Sequence, residues 1–127
     1  MKYLGIDYGV KNVGIAVSDD GGNLAFAKTV LKNDKNLLEN VAKLCVAEKI
    51  SAIILGESLD FKGEPNPLLK AILNFKRKLA TRTELPIFLE PEFLTSAEAE
   101  HLQGKDVKID ASAAALILKS YLDKNLN

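Results

Sequence analysis

A change of hydrophobic period at Asp34 divides this 127-residue chain into two kinds of segment. Before it, Lys2–Tyr8 and Val13–Ser18 alternate and are rich in β-formers, and Gly9–Asn12 between them tolerates a tight turn, so the pair predicts a hairpin. Asp19-Asp20-Gly21-Gly22 supplies a second turn and Leu24–Leu31 a third antiparallel strand. After it, Leu37, Leu38, Val41, Leu44 and Cys45 recur at helical spacing, which predicts a helix over Lys35–Lys49 with Asp34 as N-cap.

Ser51–Leu55 (SAIIL) is a short continuous apolar run, as in a strand covered on both faces. Asn66-Pro67 places a capping residue before a proline suited to the first helical position, and Leu69, Ile72, Leu73 and Leu79 carry that helix to about Arg82. Pro86–Leu89 reads as a fifth strand. Thr95-Ser96-Ala97-Glu98 reads as a capping box opening a helix that ends near Gly104. Asp110 starts a last helix whose Ala111–Leu118 stretch is small and apolar all round. The order βββαβαβαα predicts an α/β fold: a mixed five-stranded sheet, made of a three-strand antiparallel meander plus two parallel strands, flanked by helices. At this length one domain over residues 1–127 is expected.

Lysine plus arginine equals aspartate plus glutamate, 17 each, so no overall basic footprint advertises nucleic acid and any such contact must be local. No apolar run approaches a membrane span, and Met1 leads into a strand pattern rather than a signal peptide, so a cytoplasmic location and no membrane partner are expected. Cys45, the only cysteine, falls on the apolar face of its helix and reads as core.

Asp7 closes the apolar run Tyr3–Ile6 and is framed by Gly5, Gly9 and Gly14. A carboxylate there is costly unless something binds it. Ligand sites in mixed sheets lie at the carboxyl ends of central strands. Glu57, in LGES, follows the fourth strand, Glu92, in LEPEF, follows the fifth, and Asp110 opens the helix packed beside them. Gathered carboxylates repel, and a divalent cation removes that penalty. With no histidine or cysteine among them, the donors favour Mg2+ or Mn2+ over zinc, and such metals hydrolyse phosphodiesters. Taken singly, Asp110 also suits a helix cap and Glu92 a solvated loop, Glu57 and Asp60 suit ordinary polar positions near the site, and His101 has no obvious partner. The choice between Glu57 and Glu92 as the second acid stays open.

Lys62, Lys70, Lys76, Arg77, Lys78 and Arg82 concentrate around the second helix, where Lys62, Lys70 and Arg77 are candidate substrate contacts. Lys11 is the better candidate, because it follows Asp7 closely. No row of aromatics accompanies them, so base stacking has no support in the sequence.

GIDYGVKNVGIAVSD, PEFLTSAEAE and KIDASAAALIL, in that order, resemble the motifs of the YqgF family, also called RuvX, bacterial nucleases of the RNase H-like fold. The resemblance implies metal-binding catalytic carboxylates at Asp7, Glu92 and Asp110. It also implies processing of the 5′ end of precursor 16S ribosomal RNA during ribosome biogenesis, with pre-rRNA and ribosome assembly particles as partners. An alternative is a Holliday junction resolvase-like endonuclease acting on branched DNA, for which the family's likeness to RuvC is the reason. Either a monomer or a homodimer is compatible, a resolvase needing paired sites. Asn12 stands where the family has arginine, Pro91 and Phe93 replace the acid and base around Glu92, and Gly56-Glu57-Ser58 replaces Gly-Leu-Pro. Two phosphate-binding forks are thereby lost, which defines a third reading, a catalytically weak nucleic-acid-binding assembly factor. GIDYGVKNVGIAV also resembles the first phosphate loop of the sugar-kinase, Hsp70 and actin superfamily, but those ATPases need two lobes that 127 residues cannot hold.

Overall fold

The computed structural model describes residues 1–59, 67–93 and 107–124, with residues 59, 93 and 107–110 described by their backbone alone. The alternating first segment forms an antiparallel meander of β1 (Tyr3–Asp7), β2 (Asn12–Ser18) and β3 (Ala25–Lys32). There follow α1 (Leu37–Ala47), β4 (Ala52–Leu59), α2 (Leu68–Thr83), β5 (Ile87–Phe93) and α3 (Val107–Lys124). Among the described residues the strands make one five-stranded sheet in the order β3-β2-β1-β4-β5, with β4 parallel to β1 and β5 parallel to β4. β1 is therefore central, as the motif order requires.

Alternation along the strands divides the interior into two cores. Leu4, Ile6, Val13, Ile15, Ile53 and Leu55 face α1 and α2, where they meet Val41, Cys45, Ile72 and Leu79. Ala16 and Ile54 face α3 and pack on Ala114, Ile117, Leu118 and Leu122. Each buried valine, leucine or isoleucine among them contributes about 1.5–3 kcal/mol. The α3 side of the sheet is lined by small residues for a steric reason. A Cβ on Gly5 would stand 2.8 Å from Leu118 Cβ and 3.1 Å from the Ala114 carbonyl oxygen, so the helix backbone rests directly on β1.

Several expectations are corrected, among them the proline at the first helical position of α2, since Pro67 precedes the helix as its N-cap. β4 and β5 run on to Leu59 and Phe93, so Glu57 and Glu92 lie within strands rather than after them. Pro91 is tolerated because β5 is an edge strand among the described residues. α1 begins at Leu37 after Asn36; Asp34 makes a turn ahead of it, its Oδ1 accepting the Asn36 N–H at 2.9 Å and its carbonyl the Leu37 N–H at 3.1 Å. α3 begins at Val107 rather than Asp110, and its apolar Ala111–Leu118 stretch is not buried all round, since Ala111, Ala113, Ala114, Ile117 and Leu118 are buried but Leu116 is 68% exposed. The helix expected over Thr95–Gly104, with His101, lies outside the described residues, as do Asp60 and Lys62. No helix among the described residues is long and apolar enough to cross a membrane.

Candidate active site

Tyr3, Gly5 and Asp7 alternate with Leu4 and Ile6, so the half-buried Asp7 faces α3 at the carboxyl end of the central strand. Its register partner on β2 is Gly14, which leaves room beside the carboxylate. On β5, Glu92 pairs in register with Ser58 of β4, and both face α3. Between the two acids lies Gly56. A Cβ at Gly56 would stand 3.0 Å from Glu92 Oε2, 2.8 Å from Ile117 Cδ1 and 3.5 Å from the Ile6 carbonyl oxygen, one residue before Asp7. The Glu92 carboxylate thus folds back across β4 toward β1 over a position that has no side chain.

Helix α3 runs antiparallel to β1. The Tyr121 and Tyr3 rings lie 5.9 Å apart, while Ala114 and Leu118 cover Gly5. One turn before Ala114 on the same stripe is position 110, which the helix carries toward the Asp7 end of β1; the Asp110 side chain lies outside what is described. Among the described side chains no three His, Cys, Asp or Glu groups form a metal cluster. Glu57 follows Ile53 and Leu55 on the α1/α2 side of β4, so alternation directs it away from Asp7 and Glu92.

Two features of this face escaped the sequence reading. One is the role of Gly56, which the sequence marked only by its place in LGES and as the glycine retained from the family's Gly-Leu-Pro. The other is Glu90, only 3% exposed, whose Oε2 accepts hydrogen bonds from Ser120 Oγ at 2.8 Å and Lys124 Nζ at 2.6 Å. Its signal was present, since Glu90 stands two residues before Glu92 and so shares its face. This charge-assisted pair ties β5, which carries Glu92, to α3, which carries Asp110.

Of the candidate cations, Lys11 is exposed in the turn after Asp7. Lys70 is exposed in the first turn of α2. Because α2 leads into β5, whose first residue pairs with Ile53 at the start of β4, its C-terminus lies at the opposite sheet edge and its N-terminus, with Lys70, near the carboxylate edge. Arg77 stands two turns farther off, about 10 Å along the helix, and donates to Asn74 Oδ1 at 2.7 Å. Arg82 is taken up by Glu39 through bonds of 2.6 and 3.0 Å, and its guanidinium holds the Glu39 carboxyl below its usual range.

The profile of a family described as RuvX, Holliday junction resolvase, matches residues 1–124. A protein of Nitratidesulfovibrio vulgaris named "Putative pre-16S rRNA nuclease" is 36% identical over 133 residues, spanning 97% of this chain and 94% of its own. One of the same name from Thermoanaerobacter pseudethanolicus is 30% identical over 138 residues, spanning 100% and 99%. Among solved structures, T. thermophilus RuvC in complex with a Holliday junction substrate superposes with a TM-score of 0.62 at 15% identity, over 100% of this chain and 97% of that one. The fowlpox virus Holliday junction resolvase gives 0.60 at 19% identity, over 98% and 99%. At these identities the likeness is one of fold, the RNase H-like fold of RuvC-type resolvases.

Proposed function

This chain belongs to the RuvX family, and from that membership we propose that it is a cytoplasmic nuclease that processes the 5′ end of precursor 16S rRNA, with Asp7, Glu92 and Asp110 as its catalytic carboxylates. The observation that carries the proposal is the approach of Glu92 across Gly56 toward the end of β1, on the face and at the edge where Asp7 stands.

The donor set suits a hard divalent cation. Asp7, Glu92 and Asp110 offer only oxygens, and the missing Cβ at Gly56 leaves space for the Glu92 carboxylate between the strands. Mg2+ or Mn2+ bound there supplies Lewis acidity toward a phosphodiester. The protein's part is positional. Asp7 is held by its pairing with Gly14 on β2 and by the β1–β4 ladder that ends at Ile6↔Leu55 just before it, Glu92 is steadied through the tie of Glu90 to α3, and position 110 is set by the close seating of that helix on Gly5. Lys11 neutralises phosphate oxygens beside the cleaved bond and Lys70 a phosphate farther along, in place of the family's arginines.

A resolvase reading is favoured by one observation, the description carried by the matching family. The deciding experiment offers the protein an RNA spanning the 5′ boundary of 16S rRNA and, separately, a four-way DNA junction, each with Mg2+ or Mn2+ and with the Asp7→Asn variant alongside. Metal-dependent cleavage of the RNA, lost in the variant, is expected. Cleavage of the junction alone would favour the resolvase, and RNA binding with no cleavage the assembly factor. Equal activity in the variant would sink the nuclease proposal.

A further inference from the structure

The turn that follows Asp7 is held from outside its own hairpin. Asn33, one residue beyond β3, donates its side-chain Nδ2–H to the Gly9 carbonyl at 2.7 Å and its backbone N–H to the Lys11 carbonyl at 2.9 Å. Two carbonyls on either side of Val10 therefore converge on one residue. Val10 is left 75% exposed at the tip, and Lys11 beside it is also exposed. The tip is tight as well, since a Cβ on Gly9 would lie 2.4 Å from the Asn12 carbonyl oxygen.

This strap is not needed to form the hairpin. β1 and β2 are already in register from Leu4↔Val17 to Asp7↔Gly14, and both belong to the larger sheet. What Asn33 adds is a fixed direction for the tip. The tip also carries a charge: Lys11, like Lys70 and Lys78, has no ion-pair partner among the described residues. An unpaired ammonium on a pinned turn, a few residues past a catalytic carboxylate, is suited to a phosphate of an extended strand.

We propose that Asn33 is a positioning residue for substrate, which pins the Gly9–Lys11 tip so that the Lys11 ammonium meets a backbone phosphate next to the cleaved one. The proposal rests on the nuclease reading and extends it from the acids to the grip on the strand. Asn33 touches no substrate, so the deletion of its amide should act only through Lys11.

The test is binding of a single-stranded RNA oligonucleotide to the full chain, with chelator present to prevent cleavage, across salt from about 50 to about 200 mM. Each lost phosphate contact on a single strand lowers the steepness of log K against log salt by about 0.7. Lys11→Ala is expected to lower it by about that amount. Asn33→Ala should do nearly the same although it removes no charge, and the double variant should go no lower than Lys11→Ala alone. A role confined to folding would shift the melting temperature and leave the steepness unchanged. If Asn33→Ala fails to fold, Asn33→Ser, too short to reach the Gly9 carbonyl, takes its place. An unchanged steepness in the Asn33 variant beside a lowered one in Lys11→Ala, or additive losses in the double variant, would overturn the proposal. Absence of salt-dependent RNA binding by the unaltered protein would instead count against the nuclease reading itself.

Discussion

Glu92 Oε2 lies 3.0 Å from the point where a Cβ on Gly56 would stand, so a glycine of one strand makes room for an acid of the next. Gly56→Ala should therefore displace the Glu92 carboxylate and press on Ile117 Cδ1. The expected result is at least a tenfold fall in cleavage rate with a stability loss of about 1–3 kcal/mol in urea unfolding. Adding Ile117→Val relieves the contact with the helix but not the one with Glu92. The double variant should recover part of the stability and none of the activity; recovery of both would show that Gly56 serves packing alone.

Alternation along β4 separates the two glutamates that the sequence left as rivals. Glu92→Gln should abolish metal-dependent cleavage, and Glu57→Gln should leave it within about threefold, because Glu57 faces the α1/α2 side. Melting with and without Mg2+ gives an independent readout. The ion should raise the melting temperatures of the unaltered protein and of the Glu57 variant alike, and raise that of the Glu92 variant less.

Glu90 is a structural tie with a measurable cost. Glu90→Ala removes the acceptor of both Ser120 and Lys124 and should destabilise the fold by about 1–3 kcal/mol, the low range reflecting the solvent still open to Lys124. Ser120→Ala should cost about 1 kcal/mol. Both are read from denaturant midpoints.

Lys70 and Arg77 should differ in their effect on substrate binding. Lys70 opens α2 near the carboxylate edge, while Arg77 is two turns away and already donates to Asn74. Lys70→Ala should weaken RNA binding severalfold and Arg77→Ala less; the reverse order would move the path of the strand to the middle of α2.

Burial pushes the Cys45 thiol up to about 11 from its usual 9.0, and burial, with Tyr3 and Glu90 nearby, raises that of Tyr121. Both groups keep their protons in the folded chain at pH values where the unfolded chain has begun to lose them. Their contribution to stability is complete below the unfolded values and declines as pH rises past about 9, so the urea midpoint should fall between pH 8 and pH 10. At pH 8 a thiol reagent should label the native protein slowly and the unfolded one at once.

Much of the frame was legible because the period of two and the period of 3.6 are written by the same apolar residues that fill the cores. Leu4, Ile6 and Ile53 declare their strands, and Val41 and Cys45 declare a helix face. Asp7 stood out for the same reason, as a charge on an apolar strand. The far ends of β4 and β5 were not legible. There Glu57, Ser58, Glu90 and Pro91 break the apolar signal although the backbone ladder continues, and the partners that make Glu90 tolerable, Ser120 and Lys124, come from the other end of the chain. The direction of Glu92 across Gly56 is set by contact between strands, which no local pattern records.

The placement of β1 at the centre of the sheet and of α3 as its late cover has a consequence for biosynthesis. A nascent chain emerging from the ribosome can form the first hairpin early, yet the acids of β5 and α3 are still to be made and docked. On the proposed assignment of Asp7, Glu92 and Asp110, an incomplete chain would carry Asp7 alone, and the three acids would meet only once α3 has been made and docked.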